Sequence, residues 1–585
     1  MYPTHRDLPK LGLAGLLLLL LLPPAAQASA FRATLERLLP DDGQPIAKLA
    51  DGETLYGKVF ILRMYAANGF KHLWTPAAIR SLDQALLGLA DDGLEPSDYR
   101  FAEILPFLQS PSRNRYSLEE TARIDILLTE AYLRALYHLY YGKADPQGVD
   151  PDNNFGQARD GKDRSALLLA WVRKGRIDQA YDWARPDNRR YRQLKQGLQR
   201  YRAIAADGGW PQLAKGDSLR PGDRDGRIPA IRRRLAISGD LASGQGDERY
   251  DPTLLDGVKA FQQRHGLEVD GIIGPATLAA MNAPVAERIQ QIRVNLERQR
   301  WILHEDKGEF LAVDIAGFMI YWFREGQVIW REQVQVGKRF TNTPAFKDQV
   351  EYIDFNPTWT IPPGILRRSI LPELKKDPGY LDKKGYQLLS QKGARLDPHA
   401  IDWKGMSHFP YLVRQPPGPD NALGVVKFMF PNKHHVFVHD TNHREYFARQ
   451  VRTTSSGCIR LRNPLDLAER LLAGQGWTRA RIQQVIASGK TTRVNLKQPM
   501  RILIVYSTAF ADANRVHFKQ DIYNRDPRVL SALQGPFRFH QRDLKSGALV
   551  KPASMGDSEI GSDALEIEQE PARPSAGFGS PGFLE

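Results

Sequence analysis

The stretch HHVFVHDTNHREYFARQVRTTSSGCIRL, residues 434–461, contains Cys458, the only cysteine among the 585 residues of the chain. Val-Phe-Val precedes His439 and Ile-Arg-Leu follows Cys458, and both triplets are typical of short β-strands. If the two segments lie side by side, the imidazole and the thiol come within hydrogen-bond reach. Since the thiolate is the nucleophilic form of cysteine, a neighbouring base would make Cys458 a candidate catalytic nucleophile.

The turn before the cysteine supports this hypothesis. Ser455-Ser456-Gly457 is small and flexible, so the sulfur would be exposed, and successive backbone N–H groups would be left free to stabilise an oxyanion. Arg460, two positions after the cysteine, would also favour the thiolate. The alternative is a buried and inert cysteine, which is the commoner case among proteins. The neighbouring residues favour a reactive one.

The first thirty residues are typical of a secretory signal. Arg6 and Lys10 precede an apolar run, Leu11 to Leu22, and Ala26-Gln27-Ala28 offers a cleavage site with small residues. The run is shorter than the ~20 residues that a membrane-spanning helix needs. We therefore predict a cleaved signal peptide over residues 1–28 and a mature protein without a transmembrane span.

The chain is basic, with 81 Lys and Arg against 67 Asp and Glu and a formal net charge of +14. Nucleic acid is one partner of basic proteins, but for a secreted protein the anionic cell wall and membrane surface are better candidates. His439 and His443 have the spacing of a helical zinc motif, yet a strand pattern precedes them and Asp440 replaces the glutamate. We expect no metal and no cofactor.

The rest of the chain predicts a multidomain α+β protein. Residues 31–205 are mostly helical, with a good helix over 125–139. Gly208-Gly209 begins a linker, and strand patterns appear from Phe310 onward. Residues 364–430 form a long irregular stretch for a β domain, which is typical of a functional lid or a disordered segment.

A compact segment near the middle of the chain carries a family resemblance. Leu254 to Asn282 reads LLDGVKAFQQRHGLEVDGIIGPATLAAMN and resembles the small three-helix peptidoglycan-binding domain. The matching residues are Ala260, Phe261, Gln262, Gly266, Leu267, Asp270, Gly271, Gly274 and Thr277. The resemblance implies binding to peptidoglycan, and an ordinary helical hairpin is the alternative.

The cysteine segment resembles the active-site motif of the L,D-transpeptidase catalytic domain, in which a histidine precedes Ser-x-Gly-Cys-x-Arg. Further blocks are similar to the large periplasmic branch of that family. They are Asn295 to Arg298 with Arg300 and Trp301, Asn356 to Pro363, Asn421 to Gly424 with Lys427 and Phe428, Phe430 to Asn432, His439 to Thr441, and Ser455 to Cys458 with Arg460. The resemblance covers the chain from about residue 31 to residue 526.

The resemblance and the composition together predict the domain organisation. After the signal peptide follow a helical scaffold domain (31–205), a peptidoglycan-binding domain (217–284), a β-rich L,D-transpeptidase catalytic domain (301–505) with a capping lid (364–430), a C-terminal scaffold segment (506–526) and a disordered tail (527–585). The location that the family implies is the periplasm.

The family also implies a reaction. Cys458 would attack the bond between meso-diaminopimelate and D-Ala of a donor tetrapeptide stem, releasing D-Ala and forming a thioester. The diaminopimelate amine of an acceptor stem would then attack the thioester and give a 3→3 cross-link. His439 would transfer the protons, and the N–H groups of Gly457 and Cys458 would hold the oxyanion.

Further residues are candidates for substrate binding. They are Arg460, Ser456, Asp440, Asn421, Lys427 and Trp359. For Asn421 and Lys427, a structural role in a loop is the favoured interpretation, and for Trp359 an ordinary packing role is equally open. Phe437 and Asn442 stand where relatives often have tyrosine and proline, so fine substrate contacts would differ.

Two other functions remain open. An L,D-carboxypeptidase or a cross-link-cleaving hydrolase would use the same residues, with water in place of the acceptor amine. A non-catalytic wall-binding protein would keep the fold alone, and the intact Cys458, His439 and Arg460 argue against it. The expected partners are peptidoglycan stem peptides, with other cell-wall enzymes left open and nucleic acid not expected.

Overall fold

The computed structural model describes most of the chain. The described residues are 24–40, 42, 44, 46–49, 54–99, 102, 104–109, 115–155, 164–302, 308–406, 408–513 and 515–540. Residues 1–23 of the predicted signal peptide and residues 541–585 of the predicted tail lie outside them. Among the described residues, no helix is both long enough and apolar enough to cross a membrane.

Helices prevail in the first half of the described chain and strands in the second, which confirms a multidomain α+β fold. The helices are α1 (Pro24–Leu38), α2 (Lys58–Ala67), α3 (Pro76–Gly88), α4 (Leu105–Gln109), α5 (Leu118–Tyr141), α6 (Pro146–Val149), α7 (Ser165–Lys174), α8 (Ile177–Ala184), α9 (Arg189–Ala206), α10 (Ile228–Ile237), α11 (Pro252–Arg264), α12 (Pro275–Asn282), α13 (Val285–Ile302), α14 (Pro363–Ile365), α15 (Leu371–Lys376), α16 (Tyr380–Lys383), α17 (Pro464–Leu471), α18 (Arg479–Ala487) and α19 (Asp526–Gln534). The strands are β1 (Ala47–Lys48), β2 (Thr54–Leu55), β3 (Glu309–Asp314), β4 (Met319–Arg324), β5 (Gln327–Gly337), β6 (Phe346–Phe355), β7 (Trp359–Thr360), β8 (Gln387–Leu389), β9 (Arg395–Leu396), β10 (Leu412–Gln415), β11 (Val426–Met429), β12 (Val438–His439), β13 (Thr453–Ser455), β14 (Ile459–Leu461), β15 (Thr492–Val505), β16 (Ala509–Ala511) and β17 (Val516–Phe518).

Helices α1 to α8 pack around a shared apolar core. Within it, α5 begins with a capping box, in which Ser117 and Glu120 exchange hydrogen bonds between side chain and backbone. Its buried face includes Ile126 and Leu127. The helix predicted over 125–139 is therefore confirmed, and α5 continues beyond it at both ends.

Helices α10, α11 and α12 form a small unit with a core of its own, and Gln262 explains its sequence motif. The Gln262 side chain is buried and donates to Asp270 at 2.8 Å, while its oxygen accepts the Gly271 N–H at 2.9 Å. Gly271 has a φ of 72°, a conformation that favours glycine. The Ala-Phe-Gln and Asp-Gly blocks therefore meet in space and hold the turn against α11.

Arg264, buried in an ion pair inside the small unit, also joins this unit to the rest of the protein. Arg264, the last residue of α11, pairs with Asp240 and also donates to the Val516 carbonyl of β17 at 3.2 Å. Next to this contact, the rings of His265 and Phe518 stack with centroids 5.5 Å apart. The predicted C-terminal scaffold segment thus contains a hairpin, β16–β17, against which the small unit packs.

Helix α13, which carries the Asn-Leu-Glu-Arg block, joins the parts of the molecule. Asn295 is buried, donates to Thr508 Oγ1 at 2.7 Å and accepts the Thr508 N–H at 2.9 Å. Glu297 accepts the Ala144 N–H at 2.6 Å, and Arg300 donates to a carbonyl of the scaffold at 2.9 Å. One set of side chains therefore binds the scaffold helices and another binds the C-terminal segment.

The strands of the C-terminal half form a closed sheet. Their order is β13-β5-β14-β12-β11-β6-β15-β3-β4, and β4 also pairs with β5. The long β5 makes this closure, because its first part pairs with β4 and its last part with β14 and β13. Alternate residues, such as Phe428, Val438 and Ile459, point inward and are buried. Their neighbours in the chain face outward.

The segment predicted to be irregular, 364–430, is ordered. Helices α14 to α16 pack with a four-stranded sheet of order β7-β10-β8-β9 around buried Leu374, Trp403 and Val413. This unit, residues 359–415, is hereafter the cap. The expectation of an irregular stretch is wrong because each element is too short to show a hydrophobic period. The last residues of the segment form β11 and belong to the closed sheet.

The tail predicted to be disordered is ordered at its start. Asp526–Gln534 form α19, which buries Val529 and Leu533. The Phe537 ring stacks on His138 of α5, with centroids 5.1 Å apart. Disorder over 527–540 is therefore wrong, because the apolar partners of this segment lie far upstream and its own composition does not reveal them.

Replacing Asn295 by leucine tests the joining role of α13. The change leaves the buried Thr508 N–H without an acceptor, and we expect a loss of about 1–3 kcal/mol of unfolding free energy, the cost of a buried unpaired donor. Guanidinium denaturation should show a lower midpoint. Glu287→Gln, on an exposed position of the same helix, is the matched control and should leave the midpoint unchanged. An unaltered midpoint for Asn295→Leu would contradict the role of these hydrogen bonds.

Candidate active site

Strand pairing brings the residues singled out in the sequence to one face of the closed sheet. The parallel pairing of β12 with β14 places His439 level with Arg460, and the antiparallel pairing with β11 places it level with Lys427. Cys458 directly precedes β14 and lies two positions from Arg460, so it belongs to the same face. The thiol, the imidazole and two cationic side chains therefore share the outer face of the sheet.

The outer row continues on both sides of the histidine. Its members, from one end to the other, are Arg493, Asp354, Lys427, His439, Arg460 and Gln335. Asp354 pairs with Arg493 at 2.8 Å, so its carboxylate already has a cationic partner. Gln335 is buried and accepts a hydrogen bond from Thr454 Oγ1 at 2.6 Å.

Two hydroxyl groups hold the turn that carries the cysteine. Gly457 has a φ of 121°, a conformation that favours glycine. Ser455 Oγ donates to the Cys458 carbonyl at 2.5 Å and accepts the Gly457 N–H at 3.1 Å. Thr343 Oγ1, from the loop before β6, donates to the Gly457 carbonyl at 2.8 Å. The backbone next to the sulfur is therefore held in one conformation.

The two N–H groups predicted to hold an oxyanion differ. The Gly457 N–H is taken by Ser455 Oγ, whereas none of the described residues accepts the Cys458 N–H. The Cys458 donor is therefore free for a substrate oxygen. The Gly457 N–H can bind an oxyanion only if its hydrogen bond to Ser455 Oγ breaks.

Cys458 is half-buried, and its surroundings act on the thiol in opposite directions. Sγ lies 3.7 Å from the His435 carbonyl oxygen, which can accept the S–H. Burial raises the pKa of the thiol above its ordinary value of 9.0. A backbone hydrogen bond from Phe437 and the charges of Lys427 and Arg460 oppose this rise in pKa without cancelling it. At neutral pH the resting group is therefore the thiol.

The imidazole of His439 is buried and neutral. Its Nδ1 faces the Asp440 carbonyl oxygen, and a second backbone hydrogen bond joins the ring to Leu423. Burial, then the charge of Arg460, lowers the pKa of His439 to about 3, so at neutral pH the ring can accept a proton.

His439 and Cys458 are close but not hydrogen-bonded. Among the described residues, the ring contacts backbone carbonyls and Sγ contacts the His435 carbonyl. The two side chains are diagonal neighbours on one face, a position in which side chains lie farther apart than those of directly opposite residues. The predicted contact therefore requires the ring to turn from its carbonyl partners toward the sulfur.

Lys427 and Arg460 flank the thiol as cations without an anionic partner. Lys427 Nζ lies 3.7 Å from the centre of the Phe437 ring, and within the described part of the chain it makes no ion pair. The Arg460 guanidinium donates weakly to Gln335 at 3.5 Å, and its Nε is buried without an acceptor. Burial lowers the pKa of both groups. This pair can receive a negative charge, either a substrate carboxylate or the thiolate itself.

Two candidate substrate-binding residues hold the loop beside the histidine. Asp440 is buried and accepts from the Val425 N–H at 3.0 Å and from Arg444 at 2.6 Å. Asn421 is also buried, and its amide bonds only to backbone groups of neighbouring loops. For Asn421 these hydrogen bonds favour the alternative interpretation, in which the residue has a structural role in a loop. For Asp440 they indicate that it positions the segment after His439.

Ser456 and Trp359 have fewer polar contacts. Ser456 is exposed in the turn, and its hydroxyl bonds to none of the described residues. Trp359 is half-buried on β7 and packs against the core of the cap, as the packing interpretation proposes. Substrate contacts for both residues stay predictions. In the described part of the chain, no three or more His, Cys, Asp or Glu side chains are arranged to hold a metal ion.

Sequence reasoning missed three residues that support the site, namely Ser455, Thr343 and Gln335. Ser455 lies inside the cysteine motif, and its spacing to Gly457 was a usable signal for a turn-stabilising hydroxyl. Thr343 and Gln335 are more than a hundred residues upstream of the motif. Only the pairing of β5 with β14 brings them to the site.

Comparisons with known proteins identify three domains in the chain. Residues 308–490 match the family described as the L,D-transpeptidase catalytic domain, residues 60–198 match a scaffold domain, and residues 224–281 match a "Putative peptidoglycan binding domain". The chain therefore contains an L,D-transpeptidase catalytic domain together with a scaffold domain and a peptidoglycan-binding domain. The predicted domain boundaries differ from these ranges by 3 to 29 residues and stay predictions.

Individual relatives cover parts of the chain. A "Putative L,D-transpeptidase" from Haemophilus influenzae is 34% identical over 241 residues, or 41% of this chain and 49% of that protein. The chain thus spans about half the length of this relative. The "N-acetylmuramoyl-L-alanine amidase CwlM" from Mycobacterium tuberculosis is 41% identical over 80 residues, 12% of this chain and 20% of its own. An L,D-transpeptidase structure from Xylanimonas cellulosilytica covers 50% of this chain and 99% of its own at 14% identity, but the TM-score of 0.17 is too low to support an inference.

The charges at the site predict how modification of Cys458 depends on pH. Because burial raises the thiol pKa above 9.0, the rate of alkylation by iodoacetamide should keep rising above pH 9. Because His439 stays neutral down to about pH 3, we expect no step near pH 6.5, where an ordinary histidine titrates. Alkylation rates between pH 5 and pH 10 check both expectations. A fast rate that is constant around neutral pH would indicate a thiolate–imidazolium pair and contradict them.

Lys427→Met tests whether the ammonium acts on the thiol. The charge of Lys427 lowers the thiol pKa, so its removal should move the alkylation profile to higher pH and slow the reaction at pH 8. Lys427→Arg keeps the positive charge and serves as the matched variant, with a profile close to that of the wild type. If the methionine variant reacts like the wild type, the ammonium does not stabilise the thiolate.

Proposed function

We propose that this protein is an L,D-transpeptidase that joins two peptidoglycan stem peptides through a thioester on Cys458. The observation that carries the proposal is the shared outer face on which β12 and β14 place His439 beside the cysteine turn. The match of residues 308–490 to the L,D-transpeptidase catalytic domain supports it. The match to the Haemophilus influenzae relative covers only 49% of that protein, so the activity of the whole chain is part of what we propose.

In the first half-reaction, Cys458 Sγ attacks the carbonyl at the L-centre of diaminopimelate in a donor tetrapeptide. His439, neutral at rest, takes the thiol proton as the C–S bond forms. The C–N bond to D-Ala then breaks, and the imidazolium returns its proton to the departing amine. The products are free D-Ala and a thioester, with no net gain or loss of protons.

Fixed positive charge assists this step. Lys427 and Arg460 stabilise the negative charge that develops as the thiol loses its proton, and the free Cys458 N–H faces the developing oxyanion. The same two cations disfavour the protonated form of His439. The imidazolium therefore passes its proton on rapidly, so the histidine acts as a relay during attack and not as a permanent ion-pair partner.

In the second half-reaction, the side-chain amine of an acceptor diaminopimelate attacks the thioester. The C–N bond of the 3→3 cross-link forms and the C–S bond breaks. His439 takes a proton from the amine and returns it to the sulfur, which restores the enzyme. Water in place of the amine would give a tripeptide instead of a dimer.

The remaining parts of the chain serve access to the wall. The unit of α10 to α12 holds the enzyme on peptidoglycan, which its family match supports. Most of the cap lies in the segment 364–430, which we propose to cover the substrate. The secretory pattern of residues 1–28 and the net charge of +14 favour a place in the periplasm, next to the anionic wall.

Intact-mass spectrometry after incubation with a tetrapeptide stem tests the proposal. The wild type should gain the mass of an acyl tripeptide on its sole thiol, and cross-linked dimers should appear. Cys458→Ala should lose both, because the nucleophile is absent. His439→Gln should form the adduct about 10²- to 10⁴-fold more slowly, the usual contribution of a general base.

Binding to isolated peptidoglycan is the control for both variants. It should be unchanged, since neither substitution touches the unit of α10 to α12. Dimers formed by Cys458→Ala would refute the thioester mechanism. An adduct that decays to free tripeptide without dimers would identify a hydrolase.

A further inference from the structure

A cavity lies next to the catalytic face, outside the groups that the proposed reaction uses. Its volume is about 450 Å³, within the ~300–1,000 Å³ of small-ligand sites. It is lined by Gln333, Arg444, Phe447, Ala448, Arg462 and Asn463. The lining combines two arginines with an aromatic ring, a composition that suits a carboxylate on an aliphatic chain.

Strand β14 connects this cavity to the nucleophile. Cys458, Arg460 and Arg462 alternate along the chain with buried apolar residues, so the three side chains face the same side. At ~3.3 Å per residue, Arg462 is about 13 Å from the cysteine along the strand. The Arg462 N–H donates to the Gln333 carbonyl at 3.1 Å, which extends the pairing of β14 with β5 to the cavity.

Two arginines line the cavity, and of these Arg462 is the one whose charge is unpaired. Its side chain is exposed, donates to one glutamine side chain at 3.2 Å and has no ion-pair partner among the described residues. The donors and the charge of Arg444 are already used, because it donates to the Arg462 carbonyl at 2.8 Å and pairs with buried Asp440. The cavity thus presents a guanidinium whose charge is free for a ligand.

We propose that this cavity binds the far end of a diaminopimelate side chain, with Arg462 pairing its carboxylate, while the stem lies at Cys458. That end of diaminopimelate carries a carboxylate and an amine on one carbon, and the carboxylate is the group that Arg462 pairs. Phe447 and Ala448 lie along the methylene chain. The extended side chains of diaminopimelate and arginine together span the distance from the thiol. The inference rests on the proposed function and names the feature of the stem that the enzyme selects.

Equilibrium binding tests this inference separately from the reaction. One probe is a tetrapeptide stem that contains diaminopimelate. The matched probe contains lysine at that position, which keeps the amine and lacks the carboxylate. Calorimetric titration of each probe into Cys458→Ala, which cannot form a thioester, is compared with titration into the double variants that add Arg462→Gln or Arg462→Lys.

We expect Arg462→Gln to weaken binding of the diaminopimelate stem about tenfold, as for one charge-assisted hydrogen bond at a partly exposed site. Binding of the lysine stem should change less than twofold. Arg462→Lys should restore part of the affinity, since it keeps the charge. Arg449→Gln removes an exposed arginine outside the cavity and should affect neither stem. Equal weakening of both stems, or of neither, would overturn the inference.

Kinetics of the active enzyme test whether the donor stem uses the cavity. In that case Arg462→Gln should raise the KM for adduct formation with little change in kcat, the result of lost uniform binding. An unchanged KM for adduct formation would overturn the placement of the donor stem. A wild-type enzyme that forms no adduct, together with binding that depends on Arg462, would refute the proposed function and leave the carboxylate subsite standing.

Discussion

The parallel pairing of β12 with β14 is the constraint on which the active site depends. The register sets Val438 against Ile459 on the inner face and His439 against Arg460 on the outer face. A slip by one residue would turn the imidazole into the core. Two features prevent it: the buried apolar row on the inner face, and β5, which pairs with β14 and closes the sheet through β4.

The same register determines the charges around the sulfur. Burial raises the pKa of the thiol and lowers the pKa of His439 to about 3, so both groups are neutral at rest. Lys427 and Arg460 supply positive charge that no carboxylate of the described residues neutralises. The arrangement suits proton transfer at the moment of attack better than a standing ion pair. Because Arg462 directly follows β14, the same stretch of chain would hold the nucleophile and the residue that selects the stem.

The accessory parts are attached by few but well-buried polar contacts. Asn295 and Glu297 of α13 bind the C-terminal segment and the scaffold, respectively. Arg264, which pairs with Asp240 inside the small unit, donates to the Val516 carbonyl of the β16–β17 hairpin. Breaking such a buried pair leaves an uncompensated charge and is strongly destabilising. These contacts explain why the Asn-Leu-Glu-Arg block accompanies the catalytic motif without touching it.

The sequence by itself determined the features that local patterns encode: the α+β class, the helical turn motif of the small unit, and the nucleophile in a Gly-Cys turn between two strands. It missed the order within 364–430 and 527–540, because those elements are short and their partners are distant. Only the tertiary structure decided that the His439 ring faces carbonyls at rest, that Gly457 has lost its free N–H to Ser455, and that Asn421 holds a loop. Gln335 and Thr343 likewise reach the site only when β5 pairs with β14. The physical reason is that hydrogen-bond partners, burial and pKa values depend on groups brought together by folding, whereas turn chemistry and strand alternation are carried by neighbouring residues.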